Sequence, residues 1–334
     1  MEVFQLTVNS GEKKLGKVFI GSLAHGAEVS IPVLVLRGKK EGPTLWINCL
    51  VHGDELNGAL ASWELFHELS VDDVAGNLVI TPVSNPLAFE HRDKIADIDL
   101  IDMDTTFPGD PKGLFAQRTA YVLFEEIKKH ANYLLHFHTL HTHFKAVAYT
   151  VSKIVPQADQ AIIDKSREMA LAFGCETNCV VDLATATGEL PGVTRGALDI
   201  TCIQHNIPAF MAEVGSGGKI DRKFVAIAKQ GVINLMIYLG MMEGTLSRPE
   251  KQYIITKRKF LRSDYGGFTT VKVEPGEVVE AGQVLAETHY FGPEIHTTTF
   301  QEKAYVIAAR ENPVVNTGDR LAFVGTQWEV IHNK

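Results

Sequence analysis

Thr44-Leu45-Trp46-Ile47-Asn48-Cys49-Leu50-Val51-His52-Gly53-Asp54-Glu55 is the stretch on which the reading of this chain turns. Its first eight residues are a nearly continuous apolar run, as in a strand buried on both faces. A histidine, a glycine and two acids follow without a break. Residues 58–69 then place Leu60, Trp63, Phe66 and Leu69 at helical spacing. A buried strand that passes through a polar turn into a helix is part of an α/β unit. In open sheets of that kind, functional groups gather at the carboxyl ends of the strands.

The same alternation extends outward. Upstream, residues 18–21 and 29–36 read as short β-branched strands broken by Gly and Pro, and residues 38–43 as a turn. Downstream come a strand at 77–83, a helix over about 115–130, a strand at 133–138, a helix near 157–173, a strand near 207–213 and a helix near 221–242. This order predicts an α/β fold whose mainly parallel or mixed sheet is flanked by helices. Residues 90–113 are polar and aperiodic, and so long a loop in a compact domain usually carries function. After about Arg248 only short strands occur, near 253–261, 267–273, 283–288, 303–309 and 320–325, separated by Gly-containing turns. The expectation is a catalytic domain over 1–248, with an N-terminal β segment at 1–40, and a small all-β barrel or sandwich domain over 249–334.

The chain has 334 residues, of which 45% are hydrophobic, as in an ordinary globular protein. With 32 basic against 40 acidic side chains it carries a net charge of -8, which argues against nucleic acid as a partner. Local charge in a cleft can still oppose the global sign and hold an anionic small molecule. The N-terminus has no basic segment leading into an apolar one, and no apolar run reaches the ~20 residues that span a bilayer. These features predict no signal peptide, no membrane partner and a cytoplasmic setting. Cys49, Cys175, Cys179 and Cys202 are expected to be buried free thiols, because no second cysteine pair accompanies Cys175 and Cys179. The sequence is compatible with a homo-oligomer.

His52 and His138 each follow an apolar run, so both can face one crevice. A tight loop through Gly53 can aim the Glu55 carboxylate back at a metal bound by His52. Two imidazoles and one carboxylate suit Zn²⁺, one per chain, though Co²⁺ or Mn²⁺ could occupy the same ligands, and they leave a fourth position for water or substrate, as catalytic zinc sites do. Glu213 follows the apolar run 207–212. There it is either a paired or capping carboxylate, or the base that takes a proton from water and returns it to a leaving group.

Five motifs occur in a fixed order: Val51-His52-Gly53-Asp54-Glu55-Leu56-Asn57-Gly58, Asn85-Pro86-Leu87-Ala88-Phe89, Phe107-Pro108-Gly109-Asp110, Phe137-His138-Thr139 and Ala212-Glu213-Val214-Gly215. In this the chain resembles the succinylglutamate desuccinylase/aspartoacylase family, a branch of the zinc carboxypeptidase fold. The resemblance covers about residues 42–244 and continues into a C-terminal β domain. It implies that His52, Glu55 and His138 bind zinc and that Glu213 is the general base. The β domain itself resembles a biotinyl/lipoyl carrier, but the turn near Tyr290-Phe291-Gly292-Pro293 lacks the carrier lysine. It is therefore read as a lid, wall or assembly surface, from which His289 or Tyr290 could reach the site.

The chain departs from the family where substrate is held. The usual Asp-Leu-Asn-Arg is replaced by Asp102-Met103-Asp104-Thr105. An acid and an alcohol cannot replace a bidentate guanidinium. The substrate is then less anionic, or carries an amine that Asp104 can pair with. Arg92 and Lys94 both stand where the family's second arginine falls, and Arg195 is a further candidate beside a flexible loop. The family's Asp-Leu-His is here His136-Phe137-His138, and His141 and His143 follow. His136, His141 and His143 are read as hydrogen-bonded or exposed neighbours of one ligand, since a second metal wants bridging carboxylates. The expected function is zinc-dependent hydrolysis of an N-acyl amino acid or related N-acyl amine, a small-molecule substrate. The alternatives are a metallocarboxypeptidase on short peptides and a metal-binding protein that has lost turnover.

Overall fold

The computed structural model describes residues 1–186 and 190–333. A small hairpin, β1 (Glu2–Val3) and β2 (Leu6–Thr7), precedes β3 (Glu12–Ser22), β4 (Glu28–Arg37) and β5 (Lys40–Asn48). Next come α1 (Leu56–Glu68), β6 (Ala75–Thr81), α2 (Pro86–His91), α3 (Phe115–His130), β7 (Tyr133–Leu140), β8 (Phe144–Ala146) and β9 (Tyr149–Ile154). Then follow α4 (Gln160–Phe173), β10 (Thr177–Asp182), α5 (Leu198–Gln204), β11 (Ala209–Ser216) and α6 (Arg222–Tyr238). The remainder is all-β: β12 (Lys251–Arg262), β13 (Gly267–Val271), β14 (Val278–Val279), β15 (Val284–His289), β16 (Ile295–Thr299), β17 (Ala304–Arg310), β18 (Val314–Val315) and β19 (Arg320–His332).

Among the described residues these strands form a 13-stranded mixed sheet, ordered β14-β17-β19-β12-β10-β9-β11-β7-β5-β6-β4-β3 with β8 on β17, and a four-stranded sheet ordered β16-β15-β13-β18. At the centre, β5 is parallel to both β6 and β7, and β7 is parallel to β11. Both faces are covered, which is why these strands read as unbroken apolar runs. Along β5, Leu45 and Ile47 join a core with Phe66 of α1, Phe173 of α4 and Leu235 of α6. Trp46 points the other way, into a core with Phe124 of α3 and Ile203 of α5.

The sheet does not stop at residue 248. Strand β12 runs parallel to β10, with Tyr253 opposite Thr177, and pairs antiparallel with β19. Strand β17 pairs with β8, and Tyr305, Ile307 and Phe323 share a core with Leu140, Tyr149 and Met211. Residues after 248 are thus hydrogen-bonded to the same sheet that carries β7 and β11. The four cysteines are buried and free. No helix among the described residues is long and apolar enough to cross a membrane.

Strands β9 and β10 and helix α5 are among the elements that the apolar pattern does not announce. Strand β9 contains Ser152 and Lys153, both buried, and Lys153 is 1% exposed. Its ammonium is neutralised by Asp199 at 2.5 Å from α5, a compensation 46 residues away in sequence. A buried charge is tolerated only with such a partner. Strand β10 and helix α5 are both short, and short elements give weak periodicity.

Candidate active site

The loop after β5 is tied down before any functional group is considered. Ser84 donates to Cys49 O, Asn85 Nδ2 donates to Val51 O at 3.2 Å, and Gly53 N donates to Asp93 O at 3.0 Å. A side chain at Gly53 would meet the backbone of Ala88 at 2.0 Å, so only glycine lets the loop lie against α2. The helix that follows is equally close to the sheet. A Cβ on Gly58 would stand 2.5 Å from Phe137. That approach brings the start of α1, and with it Glu55, against β7.

His52, Glu55 and His138 meet as a result. His52 Nδ1 lies 2.9 Å from Glu55 Oε1, and His138 Nδ1 lies 2.9 Å from Glu55 Oε2. The three residues are buried, and their ligand atoms lie within 4.8 Å of one another. Glu55 Oε2 has no hydrogen bond of acceptable geometry despite that contact. Nitrogen and oxygen lone pairs converging on one point, with an orphaned carboxylate oxygen among them, is the donor set a divalent cation wants. Burial opposes charge on Glu55, but the flanking imidazoles outweigh it and hold the carboxyl at about 2. Burial likewise opposes charge on His52, yet Glu55 and Asp102 raise its imidazole to about 10. The carboxylates around the two imidazoles thus favour positive charge at this point, which a cation can supply in place of the imidazole protons.

Carboxylates stand behind both imidazoles. His52 Nε2 is 3.0 Å from Asp102 Oδ1, and Lys94 Nζ is 2.7 Å from Asp102 Oδ2. Such a partner fixes the ring and leaves Nδ1 to face the ligand group. His138 Nε2 lies 3.3 Å from His136 Nδ1 and 3.7 Å from Asp104 Oδ2. Asp104 accepts from Leu198 N at 3.1 Å. Burial pushes its carboxyl up to about 6 against the pull of His138. Burial drives the His136 imidazole well below its ordinary value, with His138 acting the same way. Asp104, His136 and His138 also bring their ligand atoms together. That cluster shares His138 through its second nitrogen, and the geometry is that of an outer layer behind one ligand.

Glu213 is placed by strand register. It is the Cα partner of His138 across the parallel β7/β11 pair, so both side chains leave the sheet on one face. Asn57 Nδ2 donates to Val214 O at 2.9 Å, which locks the start of α1 to this strand. Glu213 is buried, and Oε2 has no hydrogen-bond partner. Burial pushes its carboxyl up to about 7, with His138 pulling the other way. A carboxyl near 7 can take and return a proton at neutral pH.

These groups open onto one cleft of about 190 Å³. Its wall carries five carboxyls, Asp54, Glu55, Asp102, Asp104 and Glu213, together with Lys94 and Arg320. Lys94 and Asp104 therefore reach it. Among the described residues Arg92, Thr105 and Arg195 do not line it. Arg92 is exposed and closes α2 in a left-handed conformation, φ 60°. Thr105 is exposed, and its Oγ1 donates to Asp102 O at 2.7 Å. Arg195 is exposed on the segment before α5. His141 is on the wall, its ring 4.5 Å from that of His143. His289 and Tyr290 are not on it, and Tyr290 is exposed.

The catalytic domain of the succinylglutamate desuccinylase/aspartoacylase family matches residues 41–239, more than half of the sequence. The chain belongs to this family. It is thus a member of a family of deacylases, hydrolases acting on amide bonds. It is 28% identical over 309 residues to an N-alpha-acetyl-L-2,4-diaminobutyric acid deacetylase of Halomonas elongata, a match that spans 90% of this chain and 86% of that protein. Among solved structures, the product-bound ectoine utilization protein EutE (DoeB) from Ruegeria pomeroyi superposes with a TM-score of 0.85 at 24% identity, over 96% of this chain and 98% of that one. A succinylglutamate desuccinylase from Silicibacter sp. TM1040 gives a TM-score of 0.83 at 22% identity over 94% of each chain. These structural likenesses show the fold.

Two features of the site in this succinylglutamate desuccinylase/aspartoacylase family member leave no signal in the sequence. Asp102 stands there only within a departed motif, yet it backs His52. Arg320 lies far beyond the other cleft residues, on β19, and its guanidinium stacks over Phe260 with 4.3 Å to the ring centroid. In the sequence it opens the strand near 320–325, just after the turn at Gly318-Asp319, and nothing local points it to the cleft. The pairings of β19 with β12 and β17 carry it to the cleft.

Proposed function

We propose that this chain is a zinc-dependent amidohydrolase that removes the acyl group from an N-acylated amino acid or related N-acyl amine. The observation that carries this is the register pairing of Glu213 with His138, which sets a buried proton acceptor beside the His52, Glu55 and His138 group. Those three residues would hold one zinc ion. When bound, the ion supplies a Lewis acid for the acyl carbonyl and makes water easier to deprotonate.

The chain's own residues do the rest. Asp102 and the Asp104–His136 pair keep the two imidazoles oriented. Glu213 takes one proton from the attacking water as its oxygen bonds to the carbonyl carbon. When the carbon–nitrogen bond breaks, the same carboxyl gives that proton to the leaving nitrogen. An acid and a free amine result.

The make-up of the wall supports a substrate with a second, unacylated amine. Five carboxyls face Lys94 and Arg320, and Lys94 is engaged by Asp102. Asp104 is turned toward imidazoles, so Asp54 is the better partner for an ammonium. An N-acetylated diamino acid meets this description, and the Halomonas elongata relative is named for one. The small cleft favours such a molecule over a peptide.

The reading is tested on a panel of N-acetyl-2,4-diaminobutyrate, N-succinyl and N-acetyl amino acids, N-acetyl diamines and dipeptides. Release of acetate from the diamino acid at the highest kcat/KM is expected. Cleavage confined to dipeptides would make the chain a carboxypeptidase. Stoichiometric metal with no turnover of any member would favour a binding protein.

A further inference from the structure

We infer that Tyr149 is the positioning residue that holds the Glu213 carboxyl in its working orientation. The inference rests on the deacylase reading of this cleft and adds a residue that lies outside its wall.

Tyr149 begins β9, the strand on the other side of β11 from β7. In the antiparallel β9/β11 pair, Glu213 is the Cα partner of Tyr149. Directly opposed residues project from the same face with Cβ atoms about 4.5–5.5 Å apart, within reach of an aromatic side chain. Glu213 is thus flanked in register by His138 on one strand and Tyr149 on the next. Both side chains of the second pair are buried, Tyr149 completely.

The polar atoms of this pair have nowhere else to go. The Tyr149 hydroxyl and Glu213 Oε2 are each buried without a hydrogen bond of acceptable geometry, and the two groups act on each other electrostatically. Two unsatisfied polar atoms side by side in a dry interior are costly unless they serve one another. A phenol suits this task better than a charged group. It donates to the carboxylate when Glu213 is ionised and accepts from it when Glu213 is protonated. Both states occur in one catalytic cycle. Burial, with the neighbouring Glu213 acting in the same sense, lifts the Tyr149 hydroxyl well above its ordinary value, so the phenol stays neutral throughout.

The ring is held from the far side. Its centroid is 6.2 Å from that of Phe323 on β19, and Phe323 in turn lies under the Arg258 guanidinium of β12 at 5.5 Å. The strands that follow residue 248 therefore fix the residue that fixes the base. Tyr149 does not reach the cleft, so its effect on turnover must pass through Glu213.

Tyr149→Phe removes one oxygen and keeps the ring against Phe323. With N-acetyl-2,4-diaminobutyrate, kcat is expected to fall roughly 10- to 100-fold, the effect of one hydrogen bond to a charged group. KM and metal content should stay unchanged. In a Glu213→Asp background, whose shorter carboxylate no longer meets the phenol, the same change should alter kcat by less than about twofold. A loss of equal size in both backgrounds, or no loss in either, overturns the inference. If the wild-type chain turns over no member of the panel, the deacylase reading fails and a substrate-free measurement decides the role of Tyr149. The infrared band of the Glu213 carboxyl, assigned by its disappearance in Glu213→Gln, is expected to shift in Tyr149→Phe. A band that does not move contradicts the inference.

Discussion

Glu213→Gln is expected to lower kcat by about 10²–10⁴-fold, with KM and bound metal nearly unchanged. Glutamine keeps the size of the side chain and its place opposite His138. It cannot accept a proton from water or pass one to a leaving nitrogen. The pH profile should change with it. In the wild-type chain burial pushes the carboxyl up to about 7, and a cation held by its neighbours draws that value down. Below its pKa Glu213 is protonated and cannot act as a base, so kcat/KM should rise with pH along an acid limb lying at or under pH 7. Steady-state rates from pH 5 to 8 read this limb. Its persistence in Glu213→Gln would assign it to another group.

His138→Gln is expected to remove measurable metal from the purified chain and activity with it. In the proposed site His138 is one of three donors, and Glu55 Oε2 meets it at 2.9 Å. Loss of a supporting partner alone typically costs 10- to 100-fold in metal affinity, so loss of a donor should cost more. Asp102→Asn supplies the graded comparison. It leaves three donors in place but weakens the hold on His52 Nε2, and should fall within that 10- to 100-fold range. Titration of the metal-stripped variants with Zn²⁺, followed by calorimetry, checks both. Equal affinity in His138→Gln and the wild-type chain would remove His138 from the site.

Much of this arrangement was legible because it follows from strand ends. The apolar runs before His52, His138 and Glu213 announce three neighbouring strands, and functional side chains at the ends of such strands converge. Helix α3 was equally clear, since its apolar face repeats over 16 residues. What the sequence hides is direction and distance. Asp104 reads as a substrate contact because it replaces a substrate-holding residue of the family. In three dimensions its carboxylate points at His136 and His138. Arg92, Thr105 and Arg195 have the right chemistry but sit on exposed turns, and no local pattern distinguishes a turn that faces a cleft from one that faces solvent. Arg320 and Lys153 depend on pairings with distant segments, β12 with β19 and Lys153 with Asp199. Such long-range contacts leave no periodicity behind. The change in composition near residue 248 is real, yet β12 adds directly to the sheet of the preceding residues.

We propose that a single metal ion held by His52, Glu55 and His138 supports amide hydrolysis in this chain. The most direct test is acetate release from N-acetyl-2,4-diaminobutyrate by the chelator-stripped protein during titration with Zn²⁺. The expected result is no activity at the start and a linear rise that ends at about one equivalent per chain. Full activity in protein shown to be free of metal would contradict the account.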